Sequence, residues 1–280
     1  MTESWRLKLD RAEQHLADLK REIDGYTNEH AYEAVRNVGG AKCHEHIDCW
    51  RYRLRITKKP DPWLAILAGD VVHNLRSGLD HIAVALVPST RRSKASFPIR
   101  TLDPWAREDR RYVFRNPERR RSFNTAVKGM PAAAVAVIKE LQPYRRPLEA
   151  GVHILAQLSR LENADKHRQL IPVAAGLTGV TSTVSARGQF LDQPFRTPRH
   201  FIPDGAQIAH FGWLPTPPLQ PSEVDVKVRG TPLVSIKVVE RDLTQEQLPG
   251  WAPLDELLRH VIDGIRDEVF PPLEPYVRRR

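Results

Sequence analysis

The spacing of hydrophobic positions changes along the chain, and each change predicts a different kind of element. From Leu7 to Asp24 the residues Leu9, Ala12, Leu16, Leu19 and Ile23 step by three and four with charges between them. That is the stripe of an amphipathic helix, which Gly25 is expected to end. Between Ala31 and Thr57 the period falls to two, with Trp50, Tyr52, Leu54 and Ile56 on one face and Arg51, Arg53, Arg55 and Thr57 on the other. With Gly39-Gly40 upstream, this predicts an N-terminal β-hairpin at about 31–57. Asp61 and Pro62 suit the cap and first turn of a second helix that runs to about Val87, before Pro88.

Shorter helices are expected around Asp103 to Arg111 and Glu118 to Lys128, then from Pro131 to about Leu141 and from Pro147 to about Asn163. From Gln169 to about Glu240 the alternation is that of strands, as in Val224, Val226 and Val228 against Asp225, Lys227 and Arg229. Leu254 to Val269 returns to helical spacing and meets Pro271-Pro272. The predicted class is α+β. A helical domain over 1–168 carries the hairpin, an antiparallel β insertion follows over 169–245, and a C-terminal helix within 246–280 returns to the bundle.

The second helix holds the most informative residues. Leu64, Ala68, Val71, Leu75, Leu79, Ile82 and Leu86 share one face, while Asp70, His73, Asn74, Arg76, Ser77, Asp80 and His81 share the other. Ile66 and Val84 sit at the two ends of that polar face, so it is expected to be covered by apolar contacts, and its buried polar groups then need partners. Arg76 and Asp80 are spaced for an ion pair, Asp70 can accept from His73 or Asn74, and Ser77 can meet His81. The same residue types also supply a general acid and base and a cation for a developing oxyanion. Both readings stay open: a structural network and a reactive site.

The run Gly69-Asp70-Val71-Val72-His73-Asn74-Leu75-Arg76-Ser77-Gly78-Leu79-Asp80-His81 resembles a recurring group of uncharacterised bacterial and phage proteins. Phe97-Pro98-Ile99, Leu141-Gln142-Pro143-Tyr144 and Asp165-Lys166-His167-Arg168 belong to the same resemblance, which covers roughly residues 60 to 170. More remotely, Arg76 and His81 are similar to the paired Arg and His of the HEPN superfamily, helical bundles that include metal-independent RNases of toxin and defence systems. That resemblance implies a HEPN-like bundle, a homodimer, a stress or defence setting and no cofactor. It also implies a mechanism in which His81 takes a proton from an RNA 2′-hydroxyl, Arg76 steadies the phosphoryl charge and His73 protonates the leaving oxygen, with Asp80 and Asn74 beside them. Asp165, Lys166, His167 and Arg168 form a secondary candidate, either facing the same cleft or placing cations at a helix carboxyl end.

Charge adds a partner class. The 43 Lys and Arg exceed the 34 Asp and Glu by nine. Residues 91–121 hold eleven of the cations and four of the carboxylates, so most of the excess lies in that segment. Arg51, Arg53 and Arg55 on one strand face, with Arg110, Arg111, Arg115, Arg119 and Arg120, are the expected contacts to RNA or another polyanion. Cys43-His44-Glu45-His46-Ile47-Asp48-Cys49 contains four possible zinc ligands in seven residues, but in a strand Cys43 and Cys49 face one way and His44 and His46 the other, so no metal is assigned there.

Two alternatives remain. One is a noncatalytic dimeric interaction protein whose polar helix face is structural. The other is a metal-dependent hydrolase using Asp70, His73 and Asp80. Early charges leave no room for a secretory signal, no apolar run is long enough for a membrane span, and two cysteines suit a reducing, cytoplasmic compartment.

Overall fold

The computed structural model describes residues 3–28, 32–36, 48–105, 116–167, 171–186, 189–190, 201–213, 220, 223–237 and 253–277. The protein is mixed helix and strand, an α+β chain. Its elements in order are α1 (Ser4–Asn28), β1 (Tyr32–Arg36), β2 (Asp48–Ile56), α2 (Trp63–Ala85), α3 (Asn116–Ala126), α4 (Ala132–Glu140) and α5 (Ile154–His167). There follow β3 (Ile171–Ala186), β4 (Gln189–Phe190), β5 (Phe201–Pro203), β6 (Gln207–Trp213), β7 (Val224–Lys237) and α6 (Leu254–Gly264). The zinc-like residues 43–47, Arg110, Arg111, Arg115, Arg168 and most of the helix expected near 103–111 lie outside the described residues. Asp103 to Trp105 form a turn instead of its first helical turn.

Two compact units emerge: Met1–Lys20 with Trp63–Ile171 and Lys237–Arg280, and Arg21–Pro62 with Pro172–Ile236. In the first, α2 is the central helix. The predicted core stripe is buried, but so are Val72, Asn74, Gly78 and Ala83, a wider arc than the sequence pattern gives. Two glycines explain the extra burial. A Cβ on Gly78 would stand 3.3 Å from the Trp5 carbonyl oxygen and 3.5 Å from Phe270, so α1 and the C-terminal segment close on α2 there. A Cβ on Gly69 would stand 2.7 Å from Asp165 Oδ1, which brings α5 equally close. The polar face itself is not capped by apolar groups: Ile66 remains 54% exposed and His73 is exposed. The flanks of the helix, rather than the middle of its polar face, receive the neighbouring elements.

Two predicted helix limits are corrected. α1 runs through Gly25 to Asn28, because Tyr26 is buried and its hydroxyl donates to the Lys58 carbonyl at 2.7 Å, holding the last turn. α5 begins at Ile154, not at Pro147. Residues 146–152 go through successive turns, with Glu149 N on Arg146 O and Val152 N on Glu149 O, both at 2.9 Å. The Gly151 carbonyl accepts from Arg160 at 2.8 Å, and His153 Nδ1 accepts from Leu155 N at 3.2 Å at the helix start.

α6 continues into a wider turn over Ile265–Val269, where Phe270 N reaches Ile265 O at 3.1 Å. Gly264 lets α6 approach α5: a Cβ there would lie 2.5 Å from Ile154 Cδ1 and 3.0 Å from its Cγ2, inside the core. Alanine normally improves a helix by about 1 kcal/mol over glycine. Gly264→Ala is nevertheless expected to destabilise the protein by about 1–3 kcal/mol through overpacking. Urea unfolding measures it, and a raised midpoint would show that Ile154 yields.

In the second unit β1 and β2 form the expected antiparallel hairpin, in register Tyr32↔Ile56 to Arg36↔Tyr52. The hairpin does not belong with the helices: β6 pairs antiparallel with β2 to complete a three-stranded sheet, so hairpin and β insertion share one unit. A second sheet has the order β4-β3-β5, with β7 also on β3. Tyr52, Leu54, Leu177 and Ile208 form the core, with Val224, Val226 and Val228 packed against it, which matches the alternation read from β7. The turn before β6 is fixed by Gly205 at φ 76, a left-handed conformation that suits glycine, and by Asp204 Oδ1 accepting from Ile56 N at 2.9 Å.

Candidate functional site

Residues 95–100 form no regular element, so their backbone groups need side-chain partners. On one side, α2 supplies them. Asp80 Oδ1 accepts from Phe97 N at 2.9 Å, and Arg76 Nη2 donates to Phe97 O at 2.9 Å. Arg76 Nη2 also donates to Asp80 Oδ1 at 3.1 Å, closing a three-cornered clamp.

On the other side stands Gln142, which is fully buried just beyond α4. Its Oε1 accepts from Arg100 N at 2.8 Å, and its Nε2 donates to Pro98 O at 2.9 Å and to Ile138 O at 3.0 Å. Phe97-Pro98-Ile99-Arg100 is thus a strap held at four main-chain atoms, with the Phe97 ring buried beneath it. Behind it, Trp105 meets Phe123 edge-on at 5.0 Å, and Lys139 lies 4.4 Å over the Trp105 ring.

The strap forms one wall of a cleft of about 520 Å³. Four cations line it: Arg76 from α2, Lys94, Arg100 from the strap, and Arg121 from α3. Two carboxylates, Glu118 and Glu162, face them, with the hydroxyl residues Ser96, Ser122, Thr125 and Ser159 between. Arg76 is the best compensated cation. Its side chain is 19% exposed, Asp80 lies at 3.1 Å, and Glu162 Oε2 lies 3.6 Å from its Nε.

Arg100 differs. It donates to Ser122 Oγ at 2.6 Å, and its Nε is buried without a hydrogen bond. Burial pushes its pKa down, and Arg76 and Arg119 add to that shift by repulsion.

The predicted site residues divide accordingly. Arg76 and Asp80 are brought together as the spacing implied, with the Phe97 backbone as their shared target. Asn74 is buried and donates to the main-chain oxygen of Asp70 at 2.8 Å, so the Asp70 carboxylate is not its acceptor. His73 and His81 take no part in the clamp and do not line the cleft. Asp165 packs against Gly69, and Lys166 pairs with Glu162. Among the described residues no group of three or more His, Cys, Asp or Glu side chains is placed to hold a metal ion, Asp70, His73 and Asp80 included.

Of the polyanion candidates, Arg119 and Arg120 lie on α3, Arg51 and Arg53 lie on β2, and Arg55 on β2 pairs with Glu33. Sequence reasoning did not assign Arg100, Arg121, Gln142 or Glu162 to the site. The available signal was Phe97-Pro98-Ile99-Arg100, an irregular segment whose backbone needs partners, together with Gln142 beside an apolar helix.

Comparison with protein-family models, curated proteins and solved structures found no match to this chain. A functional reading therefore rests on the chemistry of the cleft. No helix among the described residues is long and apolar enough to cross a membrane.

Proposed function

We propose that this protein binds single-stranded RNA, with the cleft of the first unit as the contact to the phosphate backbone. The observation that carries the reading is the convergence of Lys94, Arg100 and Arg121, beside the already paired Arg76, on one cleft whose described lining holds two carboxylates. Arginine forks and hydroxyl groups are the donors that phosphate oxygens take. A cleft of about 520 Å³ favours a single strand, because duplex RNA is read across wide grooves by larger surfaces.

Binding is favoured over HEPN-like cleavage because neither His73 nor His81 is among the described residues that line the cleft, and because the Arg76 guanidinium is already engaged by Phe97 O and Asp80. The HEPN-like mechanism needs its histidine within hydrogen-bond reach of the 2′-hydroxyl.

Fluorescence anisotropy with a labelled single-stranded RNA tests the proposal. Affinity should fall steeply with salt, as counterion release requires. Arg121→Glu, a reversal at an exposed position of α3, should weaken binding by about tenfold or more, equal to roughly 1.4 kcal/mol. RNA recovered from EDTA-containing incubations should be intact. Absence of salt-dependent binding would sink the proposal. New cyclic-phosphate ends that disappear with His81→Ala would replace it by the HEPN-like nuclease reading.

A further inference from the structure

The charge inside the cleft is unevenly compensated, and the imbalance says what kind of phosphate fits it. Arg76 already faces Asp80 and Glu162. The remaining lining cations are Lys94, Arg100 and Arg121, with Glu118 as the remaining carboxylate. With Lys166 also on Glu162, the Arg76 group is neutral, and the other described lining residues carry a surplus of two positive charges. An internal phosphodiester brings one negative charge, whereas a phosphomonoester brings about −1.5 to −2 at neutral pH and three acceptor oxygens.

Arg100 is the residue built for the second case. Its backbone is tied to Gln142 at 2.8 Å, the strap before it is tied to α2, and its guanidinium donates to Ile99 O and Ser122 Oγ, so it is positioned before any ligand arrives. Its hydrogen bonds go to neutral acceptors, Ile99 O at 3.2 Å and Ser122 Oγ at 2.6 Å, and the charges that act on it, Arg76 and Arg119, repel it. A half-buried cation so placed gains from an anion at its side.

The neutral donors point the same way. Ser122 Oγ accepts from Arg100 at 2.6 Å, which leaves its own proton for a ligand oxygen. Thr125 is not available in this role, since its hydroxyl donates to Arg121 O at 2.8 Å. At about 520 Å³ the cleft falls in the range of small-ligand pockets, about 300–1,000 Å³. A terminal nucleotide is a ligand of that size.

Resting on the RNA-binding reading above, we propose that the cleft is an end-recognition site. It seats the phosphomonoester of a phosphorylated RNA terminus on Arg100, Arg121 and Ser122, and takes the same strand poorly when both ends are hydroxyls. The ligand chemistry, a phosphomonoester dianion on a nucleoside, is shared with a free nucleoside monophosphate, so the test separates the two sources.

One RNA sequence is prepared with a 5′-phosphate, with a 3′-phosphate, and with hydroxyls at both ends, and each is titrated with the full chain by anisotropy. Adenosine monophosphate and inorganic phosphate serve as competitors and as additives in thermal unfolding. The expected result is that one phosphorylated strand binds about tenfold tighter than the hydroxyl strand. Arg121→Gln should erase that preference while melting as the wild type does, and Arg100→Gln should erase it also.

Equal binding of all three strands, weakened uniformly by Arg121→Gln, would overturn end recognition and leave the RNA reading in place. No binding of any strand, with adenosine monophosphate raising the melting temperature in an Arg121-dependent way, would overturn the RNA reading and identify a free nucleotide as the ligand. No response to strands or nucleotide would overturn both.

Discussion

Gln142→Leu is expected to destabilise the first unit by about 2–6 kcal/mol although it nearly preserves side-chain volume. The wild-type amide is fully buried and serves three main-chain groups: Arg100 N, Pro98 O and Ile138 O. Leucine leaves at least the Arg100 N–H and the Pro98 carbonyl without partners, and each buried orphan costs about 1–3 kcal/mol. In a domain of this size the melting temperature should fall by about 2–4 °C per kcal/mol. Gln142→Glu is the informative companion. It keeps an acceptor for Arg100 N but turns a carboxylate oxygen toward the Pro98 and Ile138 carbonyls, so it should be damaging at neutral pH.

Both variants should lose RNA affinity under conditions where they remain folded: Gln142→Leu removes the acceptor of Arg100 N, and Gln142→Glu pushes away the Pro98 carbonyl two residues before it. Urea unfolding followed by circular dichroism reads the first effect and anisotropy reads the second. An unchanged unfolding midpoint for Gln142→Leu would mean that the strap is held by other contacts.

How far the sequence reveals this arrangement depends on the kind of signal each part leaves. Periodicity identified α1, α2, α6, the β1–β2 hairpin and the alternation in β7, because each buries one face and the spacing of apolar residues records which face. It failed where burial comes from close backbone approach. Gly69 and Gly78 carry no side chain to enter a hydrophobic pattern, yet they admit Asp165, Trp5 and Phe270 onto α2. It also misjudged stops: Gly25 is tolerated within α1 because Tyr26 holds the turn beyond it, and Pro147 precedes turns, not a helix.

The ion pair of Arg76 with Asp80 was legible because both lie on one helix four residues apart. Its true partner, the backbone of Phe97, was not, since main-chain acceptors leave no mark in residue identity. The same limit hid Gln142. A glutamine between apolar and proline residues reads as an ordinary helix end until the strap that it binds comes into view.

The hairpin shows a further limit. Its two strands lie next to each other in sequence and are recognisable, but β6 joins β2 from more than 150 residues away, and no local pattern encodes such a pairing. The basic segment shows the reverse. Counting charge over residues 91–121 correctly marked a concentration of cations, but only geometry separates Arg121 and Arg100, which line the cleft, from Arg120, which does not.

The Arg76–Asp80 pair carries the second large effect, and it separates architecture from chemistry. Asp80→Ala removes the acceptor of Phe97 N and the nearest anion of Arg76 together. The expected cost is about 1–3 kcal/mol, less than for a fully buried ion pair because both side chains keep some contact with water. Asp80→Asn retains an oxygen for Phe97 N and should recover most of that loss. Arg76→Ala strips the donor from Phe97 O and should cost a similar amount.

If the three groups work as one clamp, the Arg76→Ala/Asp80→Ala double variant will be less unstable than the two single losses added together. The difference is an interaction energy of about 0.5–3 kcal/mol, readable from urea unfolding of the four proteins. A catalytic arginine predicts the opposite pattern, with each variant unfolding as the wild type does and additivity within about 0.5 kcal/mol. The clamp has one more consequence that a surface ion pair lacks. Because Arg76 and Asp80 hold Phe97 from one side while Gln142 holds Pro98 and Arg100 from the other, Asp80→Ala should weaken RNA binding in proportion to the freedom that it gives Arg100, although Asp80 itself does not line the cleft.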